Sequence, residues 1–237
     1  MDLNAKSDFE RFIFGSLQEG YPSDCLVEGI EQVPFLDKTT IADIPLELAA
    51  FDDRNRISVQ PREVGIHFYK EDYKFASALL QPLKWVERFS AFKSIITPDL
   101  SIGDQMPRWI KVRNTVWSRA AGAIWNEQGF PVFPNLRWRS PDDYDFVAAG
   151  IHQGSVVATS NYGNRQLASD RAIFQHGISA MVERIAPEAV IIYGSLDARL
   201  MGYLESKTQV FIFKPNRAIP ANLKSVSNVP HLFDLEG

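Results

Sequence analysis

From residue 63 onward the chain repeats one device: a short run of β-branched and aromatic residues, then a stretch with helical spacing. The runs are EVGIHFY at 63–69, SIIT at 94–97, FPVFPNL at 130–136, SVVATS at 155–160, AVIIY at 189–193 and QVFIF at 209–213. Strands of this length that are apolar almost throughout, rather than at every second position, are buried on both faces. That is the condition of strands in a parallel sheet covered by crossover helices. Helices are expected over about 73–92, 107–128 and 169–185, with short ones in PDDYDFVAAGI (141–151) and DARLMGYLE (197–205). Pro107 suits a first helical position, and Ser140–Pro141–Asp142 reads as a helix start. The fold class that follows is α/β: alternating β-α units with a mainly parallel sheet. Periodicity does not choose between a partial βα-barrel and an open doubly wound sheet.

Residues 1–60 break the pattern. DFERFIFGSL reads as a short helix, after which Pro22, Pro34 and Pro45 interrupt VPFLD and IADIPLEL. We expect an irregular acidic arm over 1–60 packed on a single α/β domain of 61–237, whose proline-bearing tail is irregular as well.

In either parallel architecture, ligands bind beyond the carboxyl ends of the strands. The rim expected from that rule holds Tyr69 and Lys70, then Thr97, Pro98, Asp99 and Ser101, then Asn135, Arg137 and Arg139. It continues with Thr159, Ser160, Asn161 and Tyr162, then Tyr193, Gly194 and Ser195, and finally Lys214. One carboxylate among hydroxyls, amides and cations suits an anion or a nucleotide-like molecule. The ligand-binding candidates are Thr97, Ser101, Asn135, Arg137, Ser160, Asn161, Tyr193 and Ser195. Asp99 is the candidate catalytic group, as a general base or a metal ligand. Its more ordinary role, and that of Ser101, is to accept backbone N–H groups in the turn before a helix. A lone carboxylate gives little support to a two-metal site or a glycosidase acid pair. SNYGNR (160–165) lacks the spacing of either glycine-rich phosphate motif, and no GxSxG elbow is present.

His67, His152, His176 and His231 are far apart, so no metal site is expected. His67 sits inside an apolar strand and reads as a core histidine, whereas His176 falls mid-helix on an exposed face. Cys25 is the only cysteine, which leaves no internal disulfide and points to a cytoplasmic setting. The N-terminus lacks the order of a signal peptide, and no apolar run approaches the roughly 18 residues of a membrane span. The sequence assigns no cofactor, no oligomeric state and no membrane partner.

The net charge of −4 argues against a general nucleic-acid coat, but it is unevenly spread. The first 60 residues are acidic. Residues 82–140 are basic and hold all five tryptophans, an interleaving that also suits nucleic acid. Within 107–128, Trp109, Val112, Val116, Ala120 and Ile124 form a core-facing stripe. Arg108, Lys111, Thr115 and Arg119 lie on another face, either solvated or attractive to phosphate, and Arg113 lies where it can stack on Trp109 or Trp117. Arg108, Lys111, Arg119 and Arg139 are the candidates for a nucleic-acid contact.

GIHFYKEDYKF, SIITPDLS, the run at 113–138, GSVVATSNYG and AVIIYG occur in an order that resembles an uncharacterised family of bacteria, archaea and phages. It is catalogued as domain of unknown function 4417, and the resemblance covers roughly 63–195. The resemblance implies no activity and carries no catalytic role onto any residue. Occurrence in phages and mobile elements implies an accessory role touching nucleic acid or nucleotides. Three readings follow: an enzyme or binding domain for a phosphate-bearing small molecule at the strand ends, a nucleic-acid-binding accessory protein, or a protein-interaction module using the acidic arm.

Overall fold

Among the described residues, seven parallel strands follow one another in chain order. A computed structural model describes residues 25–53, 57–162 and 168–215. The helix expected at 8–17, the end of the SNYGNR loop and most of the tail lie outside these residues. A two-stranded antiparallel hairpin comes first, β1 (Val27–Glu28) with β2 (Val33–Pro34). A four-stranded parallel sheet follows, of β3 (Glu47–Ala50), β4 (Val64–His67), β5 (Ser94–Ile96) and β6 (Val132–Phe133). The second parallel sheet holds β7 (Val156–Ser160), β8 (Ala189–Tyr193) and β9 (Gln209–Phe213). A single parallel bridge between Asn135 and Ala158 joins the two sheets.

Sequential order distinguishes this wall from a doubly wound sheet, in which strand order reverses at a switch point. The wall also curls. Leu48, Ile96, Phe133, Val156, Ala158, Ile191 and Phe211 form one interior cluster, although they come from six strands. The rings of His67 and Tyr193 approach to 4.5 Å, though their strands stand four places apart in the order. The alternate residues face outward. Val64, Ile66, Ile95 and Val132 pack on the helices that cover the first sheet, and Val157, Val190, Ile192 and Val210 on those that cover the second. The result is a partial βα-barrel with helices outside. Among the described residues no ladder joins β9 to β3.

Several expectations need correction. The stretch 47–50, read as part of an irregular arm, is the edge strand of the first sheet, paired in register with Val64–His67. The helix expected over 73–92 is broken into α1 (Ala76–Leu80), α2 (Val86–Phe89) and two 3-10 turns. Pro82 ends the first segment, because a proline lacks the N–H the helix needs. The strand expected over 130–136 keeps only Val132–Phe133, since Pro131 and Pro134 flank it without donors. Beyond Pro134 the chain changes neighbour, and Leu136 donates its N–H to Ala158 O at 2.7 Å.

The remaining helices are α3 (Arg108–Glu127), α4 (Tyr144–Ala148), α5 (Ala168–Ile185) and α6 (Ala198–Glu205). Pro107 sits one place before α3, with an extended ψ of 145°. From Asn114 to Trp125 α3 is buried all round, between β6 on one side and β2, α1 and α4 on others. The expected single core stripe is therefore corrected: Trp109 is 65% exposed, while Lys111, Thr115 and Arg119 are buried. Arg113 does stack on Trp117, at 4.9 Å. No helix among the described residues is long and apolar enough to cross a membrane.

Candidate functional site at the strand ends

The carboxyl ends of the strands open into a cavity of about 620 Å3, lined by His67, Tyr69, Lys70, Asp99, Arg137, Ser160 and Tyr193 among others. A second cavity of about 310 Å3 adjoins it, with Ser101, Arg137 and Ser160 lining both. The second lies between the loop after β5 and α5, walled by Ile102, Met106, Leu136, Trp138, Ile173 and Phe174.

Asn135 organises the mouth. Its backbone N–H donates to Thr97 Oγ1 (2.9 Å), and its carbonyl accepts from Arg119 Nη1 (3.0 Å). Its side-chain oxygen accepts from Tyr69 Oη (3.2 Å), and its amide nitrogen donates to Asp99 Oδ1 (2.7 Å). The residue expected to touch ligand is thus a positioning residue held from four directions. Asn135→Ala should release both Tyr69 and Asp99 and cost about 1–2 kcal/mol. Chemical denaturation measures that loss. An unchanged midpoint would mean that the two side-chain bonds do not hold the mouth together.

Asp99 does not serve as a turn cap: its carboxylate is held by side chains, Asn135 on one oxygen and Arg137 Nη1 at 3.4 Å on the other. Burial pushes its carboxyl up from the ordinary value, against Arg137 and Asn135, which pull it down. Burial also lifts the Tyr69 phenol well above its usual range, with Asp99 adding to the effect. His67 is 2% exposed, and its Nδ1 accepts the Tyr69 backbone N–H at 3.1 Å. The imidazole is neutral, because burial and then Lys70 pull its pKa down from 6.5 to about 3. With Nδ1 accepting, the ring proton sits on Nε2. The rings of His67, Tyr69 and Tyr193 stack on one another at 4.5–5.1 Å, and the Tyr162 ring meets Tyr193 edge-on at 5.8 Å.

The other expected residues divide into lining and support. Ser101, Arg137, Ser160 and Tyr193 line the mouth. Thr97 is buried and bonded to Ser118. Asn161 clasps the backbone of Ser195, donating to its carbonyl at 2.7 Å and accepting its N–H at 3.2 Å. Gly194 makes this clasp possible, since a Cβ there would stand 1.9 Å from Asn161 Oδ1. Ser101 is tied by N–H and hydroxyl to Asp72, at 3.1 and 3.0 Å. Asp72 was not among the expected residues, while His67 is the buried histidine that was expected and lines the mouth as well. The signal for His67 was its parity with Gly65, opposite the outward-facing Val64 and Ile66 and last in its strand.

The cations proposed for nucleic acid do not share one solvated face. Arg119 is fully buried and donates to Asn135 O and Val147 O, while Lys111 pairs with buried Asp143 at 3.2 Å. Arg139 is held by Asp170 (2.7 Å) and by both oxygens of Asp104, which raises its already high pKa further. Arg108 is exposed but bonded to Glu31 (2.9 Å) and to the Asp142 carbonyl (2.8 Å). Arg137 differs from all of these: at the junction of the two cavities, its one partner among the described residues is Asp99, at 3.4 Å.

Comparison with known proteins gives the chain its relatives. The sequence profile of a family described as domain of unknown function (DUF4417) matches residues 26–213, further at both ends than the stretch of resemblance noted above. The chain is 34% identical to the "Gene 1 protein" of Mycobacterium phage D29, over 76% of its own length and 65% of that protein. It is 32% identical to the "Gene 1 protein" of Mycobacterium phage L5, over 70% of its own length and 72% of that protein. The chain thus spans less than two thirds of the D29 protein. No solved structure matches it.

Proposed function

The chain belongs to the family described as domain of unknown function DUF4417, and from that premise we propose that it binds a phosphate-bearing, nucleotide-like small molecule at the carboxyl ends of its parallel strands. The observation that carries this reading is the guanidinium of Arg137, held by one ion pair of 3.4 Å where two cavities meet. A guanidinium fork presents five N–H donors and takes a phosphate through two of them at once. Lys70, 3.7 Å from Asp52, adds a second cation to the mouth. The Tyr69, Tyr193 and Tyr162 rings supply the flat apolar surface that a sugar or base needs. Should the ligand be a substrate, Asp99 is the carboxylate beside Arg137, and burial raises its pKa above the ordinary carboxylate value, the direction a general base needs.

Thermal shift with inorganic phosphate, pyrophosphate and nucleoside mono- and diphosphates tests the reading. The wild-type protein should melt higher with at least one of them, and Arg137→Gln should abolish the shift while still unfolding cooperatively. No shift at millimolar concentrations, or an equal shift in Arg137→Gln, would overturn it.

A further inference from the structure

The 310 Å3 cavity beside Arg137 has a larger apolar share in its walls than the mouth it adjoins. Its walls are mixed: Ile102, Met106, Leu136, Trp138, Ile173 and Phe174 supply an apolar side, with the Trp138 and Phe174 rings stacked at 5.8 Å, alongside polar groups that include Arg139 and its partners Asp104 and Asp170. The polar side chains along it are engaged elsewhere. Trp138 Nε1 donates to Ile173 O (3.1 Å), Thr159 Oγ1 to Leu136 O (2.9 Å) and Ser160 Oγ to Tyr193 O (3.1 Å). Arg139 is occupied by Asp104 and Asp170. A chamber whose polar groups are already paired offers a ligand burial and dispersion rather than hydrogen-bond readout.

We propose that this chamber holds an uncharged ring or short aliphatic group of the same ligand whose anion meets Arg137. The ligand class is a phosphate ester with its apolar group a few bonds from the phosphate, taken without hydrogen-bond recognition of that group. Arg137 lines both spaces, which places the anion at their junction with the apolar group on one side and the polar, tyrosine-lined mouth on the other. This inference rests on the proposed anion site and specifies its substrate class.

Isothermal titration of the full chain with inorganic phosphate and with phenyl phosphate tests it. Phenyl phosphate should bind about tenfold tighter or more, since a buried ring adds apolar area at no polar cost. Filling the chamber from the loop (Met106→Trp) or from the helix (Ile173→Phe) should cut that advantage to about twofold or less and leave inorganic phosphate binding unchanged. Two variants on different elements guard against one of them failing to fold. Equal binding of the two anions through Arg137 would overturn the chamber and leave the anion site standing. So would a ring advantage that survives both fillings. If neither anion binds in a manner that Arg137→Gln removes, both readings fall together.

Discussion

Acidification should unfold this protein earlier than a His67→Asn variant, with the difference opening between pH 6.5 and pH 3. His67 is 2% exposed, lies within 5.1 Å of the Tyr69 and Tyr193 rings, and already uses Nδ1 to accept the Tyr69 N–H. Charging the ring would break that bond and place a cation in a buried aromatic stack, so its pKa falls to about 3. The sign follows from linkage: below the ordinary value of 6.5 the unfolded chain binds a proton that the folded chain refuses. Stability from His67 is therefore complete above pH 6.5 and is lost as pH falls toward about 3. The full swing is on the order of 5 kcal/mol, at about 1.4 kcal/mol per unit. Asparagine keeps an acceptor near the Nδ1 position and cannot take up the proton. Its stability curve should be flatter over that window, by urea denaturation at stepped pH. Parallel curves for the two proteins would refute the buried neutral imidazole.

A second large effect is expected at Gly177, where a helix-stabilising change should do harm. Gly177 lies inside α5, and Gly→Ala in an exposed helix interior gains about 1 kcal/mol. Here a Cβ would stand 1.8 Å from Trp138 Nε1 and 2.2 Å from Cε2. The indole is 7% exposed and bonded to Ile173 O, so it cannot yield without losing that bond and its packing on Phe174. Overpacking of this kind costs about 3 kcal/mol, which outweighs the propensity gain. Gly177→Ala should therefore lower stability by about 2 kcal/mol. Displacing Trp138 should also reshape the chamber it lines. A melting temperature at or above that of the wild type would show that the Trp138 wall is loose.

Most strands were legible because their apolar runs are local facts of the chain: 94–96, 156–160, 189–193 and 209–213 fall where the sequence put them. The edge strand 47–50 was not legible. ELAA has little strand propensity of its own and becomes a strand by pairing with Val64–His67. The rim rule brought Asp99, Arg137, Ser160 and Tyr193 to one cavity. What it did not contain was the division of labour among them. Asn135, Thr97 and Asn161 look like ligand groups by type, yet their polar atoms are used within the protein. Arg119 and Arg139 look like phosphate ligands, yet backbone carbonyls occupy one and two carboxylates the other.

The sequence by itself determined the α/β class and the face on which strand-end residues gather, because both follow from apolar runs and the parity of side chains along a strand. Tertiary structure alone decided the sequential, curled strand order, the burial of α3 on every side, and the place of Arg137, with its single ion pair, where the two cavities meet. The reason is physical. A side chain's type fixes how many hydrogen bonds and charges it brings, but which partners take them up depends on residues distant in the chain, and only the packed fold brings those within reach.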